Sequence, residues 1–270
     1  MIRQDPVPAS GRDLVGTGAL GSIIREIARG GLAGLAAGVL VGGVGGRVAM
    51  RISFLLDPEA RGALTEAGQR VGVFTLDGTF GLVVFGGLFA GLFGAFLWVV
   101  TQRWLPDRPS TRALAGTVVG IGLGARVAVD GDNFDFVFLD PPVLQATLFI
   151  VLAALTGAGI VWADRWLDTR LPDASGLALA VYSVMTIMGV GLAVPMMLTF
   201  FVKEPCSCRS LPWLPGGFVL ATALITLAAW VIHARGVRQP VWMESVGRTF
   251  VTGAVISGMV HLAAEIAHFA

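Results

Sequence analysis

Seven apolar runs separated by polar stretches make up most of the chain, near 30–54, 79–101, 113–130, 143–163, 176–202, 215–233 and 249–269. Each is long enough, or nearly so, to carry a helix across about 30 Å of hydrocarbon. The pattern predicts an all-α polytopic membrane bundle of about seven transmembrane helices. Basic residues then orient it, because cytoplasmic loops carry the excess of arginine and lysine. The larger basic set, including Arg3, Arg12, Arg25, Arg29, Arg103, Arg165, Arg235 and Arg248, falls on one side. The N-terminus is therefore expected inside and the C-terminus outside. Trp98, Trp104, Trp162 and Trp166 sit at the inner ends of the second and fourth runs, where an aromatic belt is expected.

Within the first run glycine recurs at Gly30, Gly34, Gly38, Gly42 and Gly46. Four residues is close to one helical turn, so these glycines line one face over about 24 Å. In water each would cost about 1 kcal/mol relative to alanine. In a bilayer the same face lets a second helix approach backbone to backbone. The third run repeats the device with Gly116, Gly120 and Gly124.

The likeness goes further. Gly43–Met50 reads GVGGRVAM and Gly122–Val129 reads GLGARVAV, with Arg47 and Arg126 in register. The second and fourth runs both close on Arg-Trp-Leu, at Arg103 and Arg165. Two tandem two-helix repeats follow, and the chain divides at 1–29 (cytoplasmic tail and lead-in), 30–106 (first repeat), 107–170 (second repeat) and 171–270 (three further helices). Copies in the same orientation relate by an axis along the membrane normal. That places the first and third helices together at the centre, glycine faces inward, with the second and fourth outside. The extended segments 71–77 and 134–140 are expected to pair as a short two-stranded cap.

Composition agrees with a membrane protein. The chain is 55% hydrophobic and 14% charged, with mean hydropathy +0.78, where a soluble domain carries about 25% charge. A net charge of +1 gives no footprint for nucleic acid. The expected partners are the lipid bilayer and a homo-oligomer or larger membrane complex. Residues 1–22 carry Arg3, Asp5, Arg12 and Asp13 without a continuous apolar core, so no cleavable signal is expected there. Gly16–Gly21 matches GxGxxG but no strand precedes it, so it reads as a linker.

The stretch GGRVAMRISFLLDPEARGALTEAGQRVGVFTLDGTFG, the RWLP that closes the next helix, and DGDNFDFVFLDPP carry a resemblance. Over about residues 38–165 the chain resembles uncharacterised bacterial multi-pass membrane proteins of the actinobacterial type. The resemblance implies a bacterial inner-membrane location and brings no activity.

Several polar groups need an account. Arg47, Arg51 and Arg126 lie at the outer ends of two glycine helices. An arginine in hydrocarbon costs at least about 2.5 kcal/mol at the centre and normally faces a bundle or cavity. The loop holding Asp130, Asp132 and Asp135 is acidic and offers partners for those arginines. It fails the EF-hand pattern, having Phe134 and Pro141 where ligands are required. His261, Glu265 and His268 share one face of the last helix. Glu265 and His268 have the Glu-x-x-His spacing of bundle metal sites. Membrane zinc hydrolases of the ceramidase type are excluded by too few histidines. Cys206 and Cys208 lie in an outer loop, where a disulfide, a redox pair or two free thiols are the readings. Pro195 predicts a kink in the fifth helix.

Three function classes remain. One is a transporter or channel-like protein with an outer-facing anion site built on Arg47, Arg51, Arg126, the neighbouring aspartates and Glu265. Another is a non-catalytic subunit or scaffold of a larger membrane complex. The third is a metal or redox protein using His261, Glu265, His268 and the cysteines. No nucleophile–base arrangement is visible, so an enzyme is the least supported, and no cofactor is indicated.

Overall fold

The computed structural model describes residues 9–56, 76–129, 141–198 and 213–269, and every element among them is helical. Helix α1 runs continuously through Ala9–Ala37, a π-helical stretch Gly38–Gly45, and Gly46–Leu56. Helix α2 comprises Leu76–Gly81, a π-turn Leu82–Gly86, Gly87–Thr101 and a closing 3₁₀ turn Gln102–Trp104. Helix α3 comprises Pro109–Val119, a π-stretch Gly120–Ala125 and Arg126–Ala128. Helices α4 (Pro142–Asp168), α5 (Gly176–Leu198), α6 (Trp213–Ala234) and α7 (Val241–Phe269) complete the bundle.

Among the described residues, six helices are long and apolar enough to cross a membrane: Gly18–Leu56, Gly78–Trp104, Pro142–Asp168, Gly176–Ala193, Leu214–Ala234 and Val241–His268. The chain is a membrane protein. Helix α3 falls outside that set; it carries Arg112 and Arg126 towards its two ends.

One expectation changes here, and another falls largely on residues outside those described. The lead-in before Gly30 is helical from Ala9, so the GxGxxG match lies inside α1 rather than in a linker. Gly21 and Ile23 are buried there, and Gly21 packs beside Ala174 of the α4–α5 connection. The cap segments lie outside the described residues, apart from Leu76 and Asp77, which begin α2 as helix.

The glycine faces do not meet each other. Gly30, Gly34, Gly38 and Gly42 of α1 lie against Val99, Ala95, Gly91 and Ala90 of α2, in antiparallel order. Gly116 and Gly120 lie against Gly157 and Ala153 of α4, and Gly124 also faces Ala153. Each hairpin therefore closes on its own small residues, and α4 packs between α1 and α3. The reason is that close approach needs small residues on both sides. Gly91 and Gly157 supply them within each hairpin. One further contact was not anticipated: Gly258 of α7 packs on the backbone of Gly122.

Helices α1 and α3 share a local feature. Both widen into π-helix immediately before the arginine segment, at Gly38–Gly45 and at Gly120–Ala125. A π-turn bonds i to i+5 and so rotates the residues beyond it away from the preceding α-helical face. The glycine face of α1 accordingly breaks up there. Gly43 lies against Val83 of α2, whereas Gly45 is turned to Leu152 of α4. Gly46 meets only the side chain of Leu82.

Candidate functional site

Ion pairs and hydrogen bonds gather at the two ends of the bundle. One end collects the start of α1, the ends of α2, α4 and α6, and the starts of α3 and α7. The other collects the ends of α1, α3 and α7 and the start of α4.

At the Arg126 end, α3 stops between α4 and α7. Ala125 and Val129 pack with Ala146 of α4 and Leu262 of α7, supported by Ile150 and Ile266. Arg126 sits inside this junction with 2% of its surface exposed. Its sequence counterpart Arg47 is only partly buried, since among the described residues the end of α1 packs on α4 and α2 and no helix lies over it as α7 lies over Arg126. Arg51 is exposed, with its guanidinium carbon 4.9 Å from the Phe54 ring centre. The arginines matched in sequence thus stand in unlike surroundings.

Beside this junction Ser53 of α1 donates to Gln145 Oε1 of α4 at 2.6 Å. The Gln145 side-chain nitrogen is buried and meets no acceptor among the described residues. His261 is buried on α7, with Nε2 3.3 Å from Glu265 Oε1. His268, two turns on, is exposed, so the three residues that share a helical face do not share a site. Among the described residues no group of three His, Cys, Asp or Glu side chains is placed to hold a metal. Asp130, Asp132, Asp135, Cys206 and Cys208 lie outside the described residues.

The opposite end holds the denser network, which sequence reading passed over. Arg29 Nε donates to Asp164 Oδ1 at 2.8 Å, and Arg29 also pairs with Asp168. Arg25 pairs with the same Asp168 oxygen at 3.0 Å. It also donates to the carbonyls of Asp168, Leu171 and Pro172, capping the exposed carbonyls at the end of α4. Asp164 is 4% exposed. Glu26, one residue along from Arg25, stands within electrostatic reach of Arg103 and Arg29, beside the Trp230 indole. Arg103 in turn donates to Gln239 Oε1 at 3.0 Å, tying α2 to the segment before α7.

No protein-family model, curated protein or solved structure matches the chain. Its function therefore has to be read from this geometry.

The aromatic expectation divides. Trp162 and Trp166 are exposed, as a lipid-facing belt requires, but Trp98 and Trp104 are buried. Trp104 donates to Thr226 Oγ1 at 2.8 Å, and Thr226 donates on to the Val100 carbonyl at 2.9 Å, locking α6 to α2. Trp98 lies under the Arg112 guanidinium, 5.4 Å from ring to carbon. One turn on, Gln102 is 2% exposed and both polar atoms of its amide lack a partner among the described residues. An unsatisfied buried polar group costs about 1–3 kcal/mol. The Gln102→Met variant, nearly isosteric, should therefore raise the denaturant midpoint in detergent, by about 1–2 kcal/mol of added stability. A fall of that size would instead show that the amide grips a bound group.

Proposed function

We propose that the chain is a seven-span protein of the bacterial cytoplasmic membrane, N-terminus inside and C-terminus outside. In this reading it is built on two tandem two-helix repeats. It holds an anionic group at the Arg126 end, in the manner of a transporter or channel-like protein. The observation that carries the reading is the burial of Arg126 where α3, α4 and α7 meet. A guanidinium at that depth is expensive unless it serves a bundle interior or a cavity. Arg47 and Arg51 add positive charge at the same end, and the buried Gln145 side-chain nitrogen, which meets no acceptor among the described residues, offers a donor beside them. Donors of this kind, set in a low-dielectric surround, favour a carboxylate, phosphate or halide.

Thermal unfolding of the purified protein in detergent, titrated with chloride, phosphate and acetate, tests the reading. At least one anion should stabilise the parent. Arg126→Gln, folded by circular dichroism, should weaken that anion by at least about tenfold, the worth of one charge-assisted hydrogen bond. No stabilisation of the parent, or unchanged affinity in the variant, overturns the reading.

Those results would leave the second reading, a non-catalytic subunit or scaffold of a larger membrane complex. Helix α5 favours it. Only 6% of its span is buried, against 28–41% for the other five. Leu177, Ile187 and Met188 are among its most exposed side chains.

A further inference from the structure

The end of α4 carries a second feature, on its lipid-facing side. Trp162 and Trp166 stand one turn apart near the end of α4, and Arg170 follows four residues on, in the turn just past the helix. The two indoles are 68% and 44% exposed. They stack at 6.5 Å between centroids with 19° between planes. The Arg170 guanidinium carbon lies 4.3 Å from the Trp166 ring centre, extending the stack. Arg165 stands one residue before Trp166.

Charge at this end is shared unequally. Arg25 and Arg29 are committed to Asp164, Asp168 and the carbonyls that close α4. That commitment has two effects. It neutralises both aspartates, and it caps the carbonyls whose partial negative charge would otherwise repel an anion at a helix C-terminus. Among the described residues, Arg165 and Arg170 have no carboxylate within ion-pair distance. Asp173, in the loop beyond, accepts from the Ser175 backbone N–H through its carbonyl and forms no ion pair among the described residues. Two uncommitted guanidinium groups thus stand beside two exposed indoles at the end of a membrane-spanning helix.

The geometry points to a binding site for the headgroup of an anionic phospholipid. A guanidinium held flat on an indole keeps its edge donors free, in the fork that matches two phosphate oxygens. The stacked indoles present an apolar body to the acyl chains and N–H groups to the glycerol and ester oxygens, as tryptophan does at membrane interfaces. The site rests on the membrane reading of the fold. It lies at the end opposite Arg126, so it stands or falls apart from the anion site proposed there.

Native mass spectrometry of the detergent-solubilised protein tests it, with equal amounts of phosphatidylglycerol and phosphatidylcholine of the same chain length. The parent should retain phosphatidylglycerol preferentially. An arginine near the surface contributes about fivefold towards an anionic lipid, so the Arg165→Gln/Arg170→Gln double variant should lose most of the preference. Trp162→Ala/Trp166→Ala should lower retention of both lipids. Arg235→Gln/Arg238→Gln removes equal charge elsewhere at the same end and should leave the preference intact. Free inorganic phosphate at the same concentration should not displace the lipid. Three results overturn the site: no preference in the parent, equal loss in the Arg235/Arg238 control, or displacement by phosphate alone.

Discussion

Asp164→Ala should destabilise the folded protein by about 3–5 kcal/mol, the usual consequence of removing one partner of a buried ion pair. Asp164 is almost wholly buried on α4, and Arg29 of α1 reaches it at 2.8 Å. Without the carboxylate, Arg29 keeps only Asp168, which it already shares with Arg25. A guanidinium at the interface of two membrane helices cannot turn to bulk water without parting them. The lost energy is therefore mostly the stranded charge of Arg29 rather than the net worth of the pair.

That distinction sets the companion measurement. Replacing both partners, as Arg29→Met with Asp164→Leu, should recover most of the loss, because a pair of apolar groups need not be compensated. The unfolding midpoint in mixed detergent micelles, measured for the parent, both singles and the double, gives the coupling energy directly. A double variant as unstable as Asp164→Ala would mean that these side chains hold more than each other. Arg25→Met should cost less than Asp164→Ala, since Asp168 is half exposed and its ion pairs are screened.

Six of the seven apolar runs correspond to helices long and apolar enough to cross a membrane, legible because burial in lipid requires long apolar runs, whatever their packing. Their ends were less so. Helix α1 begins well before the apolar run, because Arg25 and Arg29 are satisfied by α4 and need not stop the helix. A linear pattern scores such residues as loop. The matched arginines were visible too, but not that α7 would cover one of them and leave the other partly exposed. That difference comes from α7, a helix distant in sequence from both arginines. The network of Glu26, Arg29, Asp164 and Arg103 escaped notice for a related reason. Its members sit at span ends, where charged residues read as interfacial, and their pairing spans α1, α2 and α4. Buried Trp98 and Trp104 follow the same logic: position along the run fixes depth in the membrane, whereas the rotational setting of α2 decides between lipid and core.

The glycine contacts turn this point into the other large effect. Gly38→Leu should prevent α1 from seating on α2, destabilising the fold by at least about 3 kcal/mol, the upper part of the range for overpacking. A Cβ at Gly38 would strike the backbone of Gly91 and lie 2.5 Å from the Gly87 carbonyl oxygen. Neither obstacle is a side chain that can change rotamer, so relief requires the two helices to separate along the crossing. Gly31, on the same helix, provides the control, because a Cβ there meets nothing within 4 Å. Gly31→Ala should be neutral, or stabilising by up to about 1 kcal/mol through helix propensity. Unfolding midpoints of the two variants, read beside the parent, separate close packing from the general intolerance of a glycine-rich helix. A Gly38→Leu protein as stable as the parent would show that the α1–α2 crossing does not hold the bundle. Equal damage from Gly31→Ala would show that α1 needs its glycines for backbone freedom, such as that of the π-helical stretch that begins at Gly38.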